Sequence, residues 1–334
     1  MELGLAVAFA VAFALTNGFH DAANAIATLV VTRGARAGQA IVLSAGFNIL
    51  GVLFAGTAVA DTIAGITTVK SSLAVAVIGS GVLAAVVWNV LTWVFGLPSS
   101  SGHALVGGLV GSALTASGID AVHWGGLDGW KPVGVFGVLV ALAVSPAIGL
   151  ALGFAFARLL HKMLRRATPR VEAPIRAAEW AMSAALSFSH GANDGQKSIG
   201  VVAALLLATG HMHAFAVPLW VKLACAAALT IGTALGGWRI VRTIGHSIFH
   251  LAPIDGFVSQ TASSVVILAA SYAGAPVSTT HVVASSIVGI GGGRRRWRHV
   301  RWAVVRSIGL AWLLTLPAAA ALGALGLLAW RSIA

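Results

Sequence analysis

The chain has 334 residues, of which 58% are hydrophobic and only 9% formally charged, against about 25% charged in a soluble domain, which excludes a soluble enzyme or binding module. The net charge of +12 does not imply a nucleic-acid partner. Most of the lysines and arginines stand in four short clusters between apolar stretches, so no folded surface is left to host a nucleic acid.

In chain order, the first apolar segment covers residues 3–32 and is interrupted only by Asp21. It follows Glu2 rather than a basic region and runs straight into a polar motif, so it reads as a retained span and not a cleaved signal. The motif contains Asn17, His20, Asp21 and Asn24, which share a broad face at helical spacing. Polar groups inside a span are costly and functional by default. Gly18 favours a break in the helix here, which would free backbone carbonyls for a cation.

Arg33 and Arg36 follow, then charge-free residues 40–60, the stretch 61–70 bounded by Asp61 and Lys70, and charge-free residues 71–119. Inside the last of these lies PSSSGH, 98–103. Ser99, Ser100 and Ser101 follow a proline and precede an apolar run, an N-cap arrangement. Hydroxyls and unpaired N–H groups there face outward at the positive end of a helix dipole and suit a phosphate or another anion. His103 reads as a brace of this tip or as a member of the site. Residues 71–119 fit either a re-entrant hairpin or two full spans. A polar stretch from Asp120 to Lys131 and an apolar one, 132–157, complete the first half.

A basic linker follows, with Arg158, Lys162, Arg165, Arg166, Arg170 and Arg176. Beyond it the plan repeats. GANDGQKS at 191–198 matches GFHDAANA at 18–25, and supplies Asn193, Asp194, Gln196, Lys197 and Ser198 after His190. Gly51, Gly56, Thr62 and Ile63 recur as Gly232, Gly237, Thr243 and Ile244, and Gly111 as Gly289. PVSTTH at 276–281 matches PSSSGH and brings Ser278, Thr279, Thr280 and His281. The lone Cys225 excludes a disulfide within the chain. After Pro276 the apolar run 281–293 ends at an arginine cluster, 294–306, before charge-free residues 307–330. That run is short of the roughly 20 residues a span needs, so this arm is expected to dip in and return.

The expected fold is therefore an all-α polytopic membrane protein made of two inverted-topology repeats, each with transmembrane helices and a re-entrant hairpin. The first repeat is 1–157, the basic cytoplasmic linker 158–177 and the second repeat 178–334. Basic loops belong on the cytoplasmic side. With Arg33/Arg36, the linker, Arg239/Arg242 and 294–306 inside, both termini lie outside and the second repeat is upside down. Secondary transporters recurrently use this plan, with sites at the bilayer midplane. The basic loops also suit anionic lipid headgroups.

Two facing aspartates repel an anion unless they are protonated or paired with a cation, and Lys197 is the only fixed positive charge in the motifs. An oxyanion site of this composition implies a co-bound proton or metal ion, hence symport. An intramembrane hydrolase on His20, Asp21, Ser189 and His190 lacks a nucleophile elbow or metal-ligand spacing. Alternating access suits inverted repeats with charged half-sites better than a passive channel does. No enzyme activity, resident metal or cofactor is expected.

NGFHDAANA, SHGANDGQKSIG, GLPSSSGHALVGG and PVSTTHVVASSIVG together resemble the inorganic phosphate transporter (PiT) family over nearly the whole chain. The resemblance implies an inverted-repeat fold and phosphate carried with Na⁺ or H⁺. By motif, Asp21, Asn24, Asn193 and Asp194 would line the site with Ser100, Ser101, Ser278 and Thr279. His20 stands where the Na⁺-coupled pattern often has Asn, and Lys197 where it has a small or amide residue. Both departures resemble the proton-coupled, low-affinity bacterial branch, which takes phosphate as a neutral metal complex. They make Lys197 a further substrate contact, and cast His20, Asp21, Asn24, Asp194 and Lys197 as the cation-coupling set. The implied location is a bacterial inner membrane. Na⁺ coupling, a related oxyanion such as sulfate, and assembly as a homo-oligomer stay open.

Overall fold

The computed structural model describes residues 1–69, 71–129, 131–236, 240–241 and 248–333. Lys70, Gly237, Arg239, Arg242, Thr243 and Ile244, which carry part of the repeat and orientation readings, lie outside them. An apolar stretch in a bilayer must satisfy every backbone amide internally, so these stretches fold as helices. In the first half they are α1 (Glu2–Val31), α2 (Ala37–Phe54), α3 (Ala58–Ala64), α4 (Ser71–Val94), α5 (Ser101–Ser117) and α6 (Gly134–Met163). The second half contains α7 (Glu172–His190), a π turn (Gly191–Gly195), α8 (Gln196–Ala208), α9 (Leu219–Leu235), α10 (Pro253–Tyr272), α11 (Thr279–Gly293) and α12 (Trp302–Ile333). Among the described residues α1, α2, α4, α6, α10 and α12 are long and apolar enough to cross a membrane. The one paired sheet there is a two-stranded hairpin, Gly126–Asp128 with Lys131–Val133.

The halves interlock by exchanging partners. The short helix of each packs on the last long helix of the other, α5 on α12 and α11 on α6, while α1 packs on α9 and α7 on α2. Close approach explains the repeated glycines. A Cβ on Gly18 would stand 2.2 Å from the Leu229 carbonyl oxygen, and one on Gly232 2.1 Å from that of Leu15. In the mirror crossing, Gly191 faces the Asn48 carbonyl at 2.2 Å and Gly51 that of Phe188 at 2.1 Å. Gly18 therefore serves packing and breaks nothing: α1 is one continuous helix from Glu2 to Val31. The break falls instead in the second copy, as the π turn.

Two apolar cores result. One takes Ala6, Ala10, Phe13 and Ala14 from α1 and packs them with α4, α5, α8 and α9. The other takes Ala25, Ile26 and Leu29 and packs them with α10 and α11. The stretch of α1 between them carries the polar motif, which therefore lies in a layer between two apolar masses. Helices α5 and α11 start at this layer. Their 17 and 15 residues, at about 1.5 Å each, fall short of the roughly 30 Å hydrocarbon core.

Candidate functional site

Four chain segments converge on the polar layer: the middle of α1, the π turn with the start of α8, and the N-terminal tips of α5 and α11. Asp21, Asp194, Lys197, His20, His190, Asn24 and Asn193 are all withdrawn from solvent. Burying charge this fully requires partners, and each aspartate has a complete set.

Asp21 accepts from Ser101 Oγ at 2.7 Å and from Thr280 Oγ1 at 3.0 Å, so one hydroxyl comes from each tip. Its Oδ1 is also 2.8 Å from His20 Nδ1. The far nitrogen of that ring reaches Thr92 Oγ1 at 3.1 Å and Ser99 Oγ at 3.2 Å, at the turn between α4 and α5. Asn24 Nδ2 donates to Thr279 and Thr280 at 3.1 and 2.8 Å.

Asp194 accepts from Thr279 Oγ1 at 2.9 Å and lies 3.1 Å from His190 Nε2. It forms an ion pair with the Lys197 ammonium, which also donates to the Val277 carbonyl at 2.7 Å. The lysine runs beside Gly102, where a Cβ would stand 3.1 Å from Nζ. His190 is fixed from behind by Asn48 Oδ1, 3.0 Å from Nδ1. Asp21, His190 and Asp194 each bring one ligand atom to within 4.8 Å of the others, a grouping that a cation could bridge.

The other expected residues divide by what they touch. Ser100 and Ser278 do not reach the aspartates. Each caps its helix, accepting from the backbone N–H of His103 at 3.2 Å and of His281 at 3.3 Å. Asn193 braces the second tip, donating to Ser271 Oγ and the Ala275 carbonyl and accepting from Val277 N–H. His103 and His281 pack ring to ring at 4.8 Å, with His281 stacked on Trp312 at 3.7 Å. The Ser189 hydroxyl donates to the Ala185 and Ser264 carbonyls, which leaves it no role as a nucleophile. Thr280, Thr92 and Asn48 join the site without having been singled out as its members. Thr280 belonged to a tip already marked, and Asn48 was visible as an amide in a charge-free span.

The arrangement is closed: hydroxyls that could donate to an oxyanion now donate to carboxylates. The same hydroxyls and the starts of α5 and α11 are groups of the kind that favour an anion.

A sequence profile described as the phosphate transporter family matches the chain twice, over residues 17–172 and 164–323. The chain is 40% identical over 321 residues to a probable low-affinity inorganic phosphate transporter of Rhizobium meliloti, covering 96% of this chain and 93% of that one. It is 36% identical over 327 residues to a protein of the same description from Bacillus subtilis, covering 96% and 95%. The low-affinity inorganic phosphate transporter PitA of Escherichia coli K12 is 29% identical, covering 98% and 96%. A solved structure titled as the sodium-dependent phosphate transporter superposes over the whole of both chains with a TM-score of 0.88 at 24% identity. That likeness concerns the fold.

Proposed function

Since the chain belongs to the phosphate transporter family, we propose that it imports inorganic phosphate across a bacterial inner membrane by symport with protons. It is a multi-pass membrane protein and a transporter rather than an enzyme. Asp21, Asp194, Lys197, Asn24, Ser101, Thr279 and Thr280 form the substrate site in this reading, with Ser100, Ser278 and Asn193 holding the tips in shape.

The observation that carries proton coupling is the charge inventory of the closed site. Two carboxylates face one fixed ammonium, so with neutral imidazoles the site holds one negative charge in excess. A phosphate anion cannot join it unless positive charge arrives too. Each aspartate has its own histidine within 3.1 Å, and imidazole is the side chain that ordinarily changes charge near neutrality. Protonating His20 and His190 turns the balance positive, and phosphate then enters as the counter-ion. The second reading is Na⁺, or a metal–phosphate complex, bridging Asp21, His190 and Asp194. Their close approach favours it.

Phosphate uptake into proteoliposomes separates the two. Uptake should follow an inward pH gradient and ignore Na⁺. With the pH gradient collapsed by nigericin and an inward Na⁺ gradient maintained, uptake at full rate would replace protons by Na⁺. The proposed orientation has its own check: in a background lacking Cys225, a cysteine substituted at exposed Asp128 should react with an impermeant external reagent and one at Arg170 should not. The reverse pattern inverts the assignment.

A further inference from the structure

The polar face of α1 continues past the site. Thr28 and Thr32 follow Asn24 at i+4 steps, so they stack along one face, about 6 Å apart along the axis. Each is met from the second half. Gln260 Nε2 donates to Thr28 Oγ1 at 2.9 Å, and Thr32 Oγ1 donates to Glu179 Oε1 at 2.6 Å. Thr28, Gln260 and Glu179 are fully buried. Among the described residues Asn24 Oδ1, Gln260 Oε1 and Glu179 Oε2 have no hydrogen-bond partner, although buried acceptors are nearly always satisfied.

Among the described residues Glu179 is the terminal group of this track and the only carboxyl on it beyond Asp21. The backbone makes room for it: a Cβ on Gly256 would stand 2.1 Å from Oε1, and one on Gly34 2.9 Å from Oε2. Among the described residues no cation is in ion-pair contact with it. Arg176, one turn earlier on α7, binds Glu172 and donates to the carbonyls of Thr32 and Arg33. On α10, Asp255 beside Gly256 is paired with Arg294, α1 has no titratable group at this level, and Arg33 and Arg36 on the following loop are exposed. A carboxylate withdrawn from water with a single hydroxyl donor is uncompensated, whereas the neutral acid supplies a donor of its own.

We propose that Glu179 is a second proton-binding site of this transporter, placed between the phosphate site and the arginine-rich face. The carboxyl holds a proton while α7 is closed on the loop after α1, as here. When that contact opens, water reaches the carboxyl, the Arg176 guanidinium one turn away is released from the Thr32 and Arg33 carbonyls to pair with it, and the proton leaves to the arginine-rich side. The assignment rests on the proton-symport reading above.

Glu179→Gln isolates the proton, because its amide oxygen can still accept from Thr32. In proteoliposomes, labelled phosphate–phosphate exchange at equal pH needs no net proton movement, while accumulation driven by a pH gradient does. Glu179→Gln should retain exchange within about twofold and lose gradient-driven accumulation by at least about tenfold. Glu179→Asp, which restores a carboxyl, should recover part of it. A Gln variant that accumulates like wild type overturns the assignment, and so does equal loss of exchange and accumulation in a protein with the wild-type gel-filtration profile, since that is a structural role. If the Gln variant does not fold, the Asp variant decides by the same two measurements. Wild-type protein indifferent to the pH gradient refutes proton symport itself, and the role of Glu179 with it.

Discussion

Asp21 and Asp194 stand at equivalent places in the two repeats, yet α1 passes Asp21 as an unbroken α-helix while the chain passes Asp194 through a π turn. The neighbours account for the difference. Phe19 in the first copy fills its side by packing on Trp93 at 5.0 Å. The second copy has Ala192 there, with Gly191 and Gly195 pressed on Asn48 and Val52 of α2. The partners differ in kind as well. Asn24 meets Thr279 and Thr280 on the opposite tip, and its counterpart Lys197 meets Gly102, the counterpart of Thr280. Duplication kept the carboxylates and caps in place, and divergence put the fixed positive charge on one side only. Each carboxylate has hydroxyl and histidine partners, and only the second adds an ion pair.

Removing each carboxylate in turn should break the equivalence most visibly. Asp21→Asn and Asp194→Asn should both abolish coupled phosphate uptake. Only the second leaves a buried ammonium without its partner, which costs about 3–5 kcal/mol. Asp194→Asn should therefore melt well below wild type in detergent, and Asp21→Asn close to it. Equal melting temperatures would mean that Lys197 is satisfied by the Val277 carbonyl alone.

This asymmetry was only half legible in the sequence. Charge-free runs, basic loops and paired motifs identify the helices, the duplication and both aspartates, because those signals are local. Glycine at 18 reads the same whether it breaks a helix or admits a neighbour, and only the Leu229 carbonyl at its Cα decides between them. Ser100 and Ser101 are adjacent and chemically identical, yet one caps α5 and the other binds Asp21. Glu179 belongs to no motif in the sequence, and only folding brings Thr32, Gly34 and Gly256 around it.

The lysine–glycine pairing offers a smaller, more specific test. Gly102→Thr puts side-chain atoms where the ammonium lies, an overpacking of about 1–3 kcal/mol, and should lower both uptake and melting temperature. Adding Lys197→Asn copies the first half's chemistry into the second. The double variant should regain stability, with a coupling of about 0.5–3 kcal/mol in a double-mutant cycle, while gradient-driven uptake stays low. Additive losses would show that the glycine and the lysine are independent.

The smallest expected effects separate neighbouring hydroxyls within one tip. Ser101 donates to Asp21, and a hydrogen bond to a charged group is worth about 1.5–3 kcal/mol. Thr279 does the same for Asp194. Ser101→Ala and Thr279→Ala should each weaken phosphate affinity by about tenfold, the factor that 1.4 kcal/mol represents. Among the described residues the Ser100 and Ser278 hydroxyls bond only to the N–H three residues on, and losing such a cap costs about 0.5–2 kcal/mol of stability. Ser100→Ala and Ser278→Ala should therefore lower the melting temperature slightly and leave affinity nearly unchanged. Isothermal binding of phosphate to the four purified variants measures the contrast directly. Should the cap variants lose as much affinity as the donor variants, the tips act on phosphate as whole helix ends and not through particular hydroxyls. The division drawn between Ser100 and Ser101 would then fail for both halves at once.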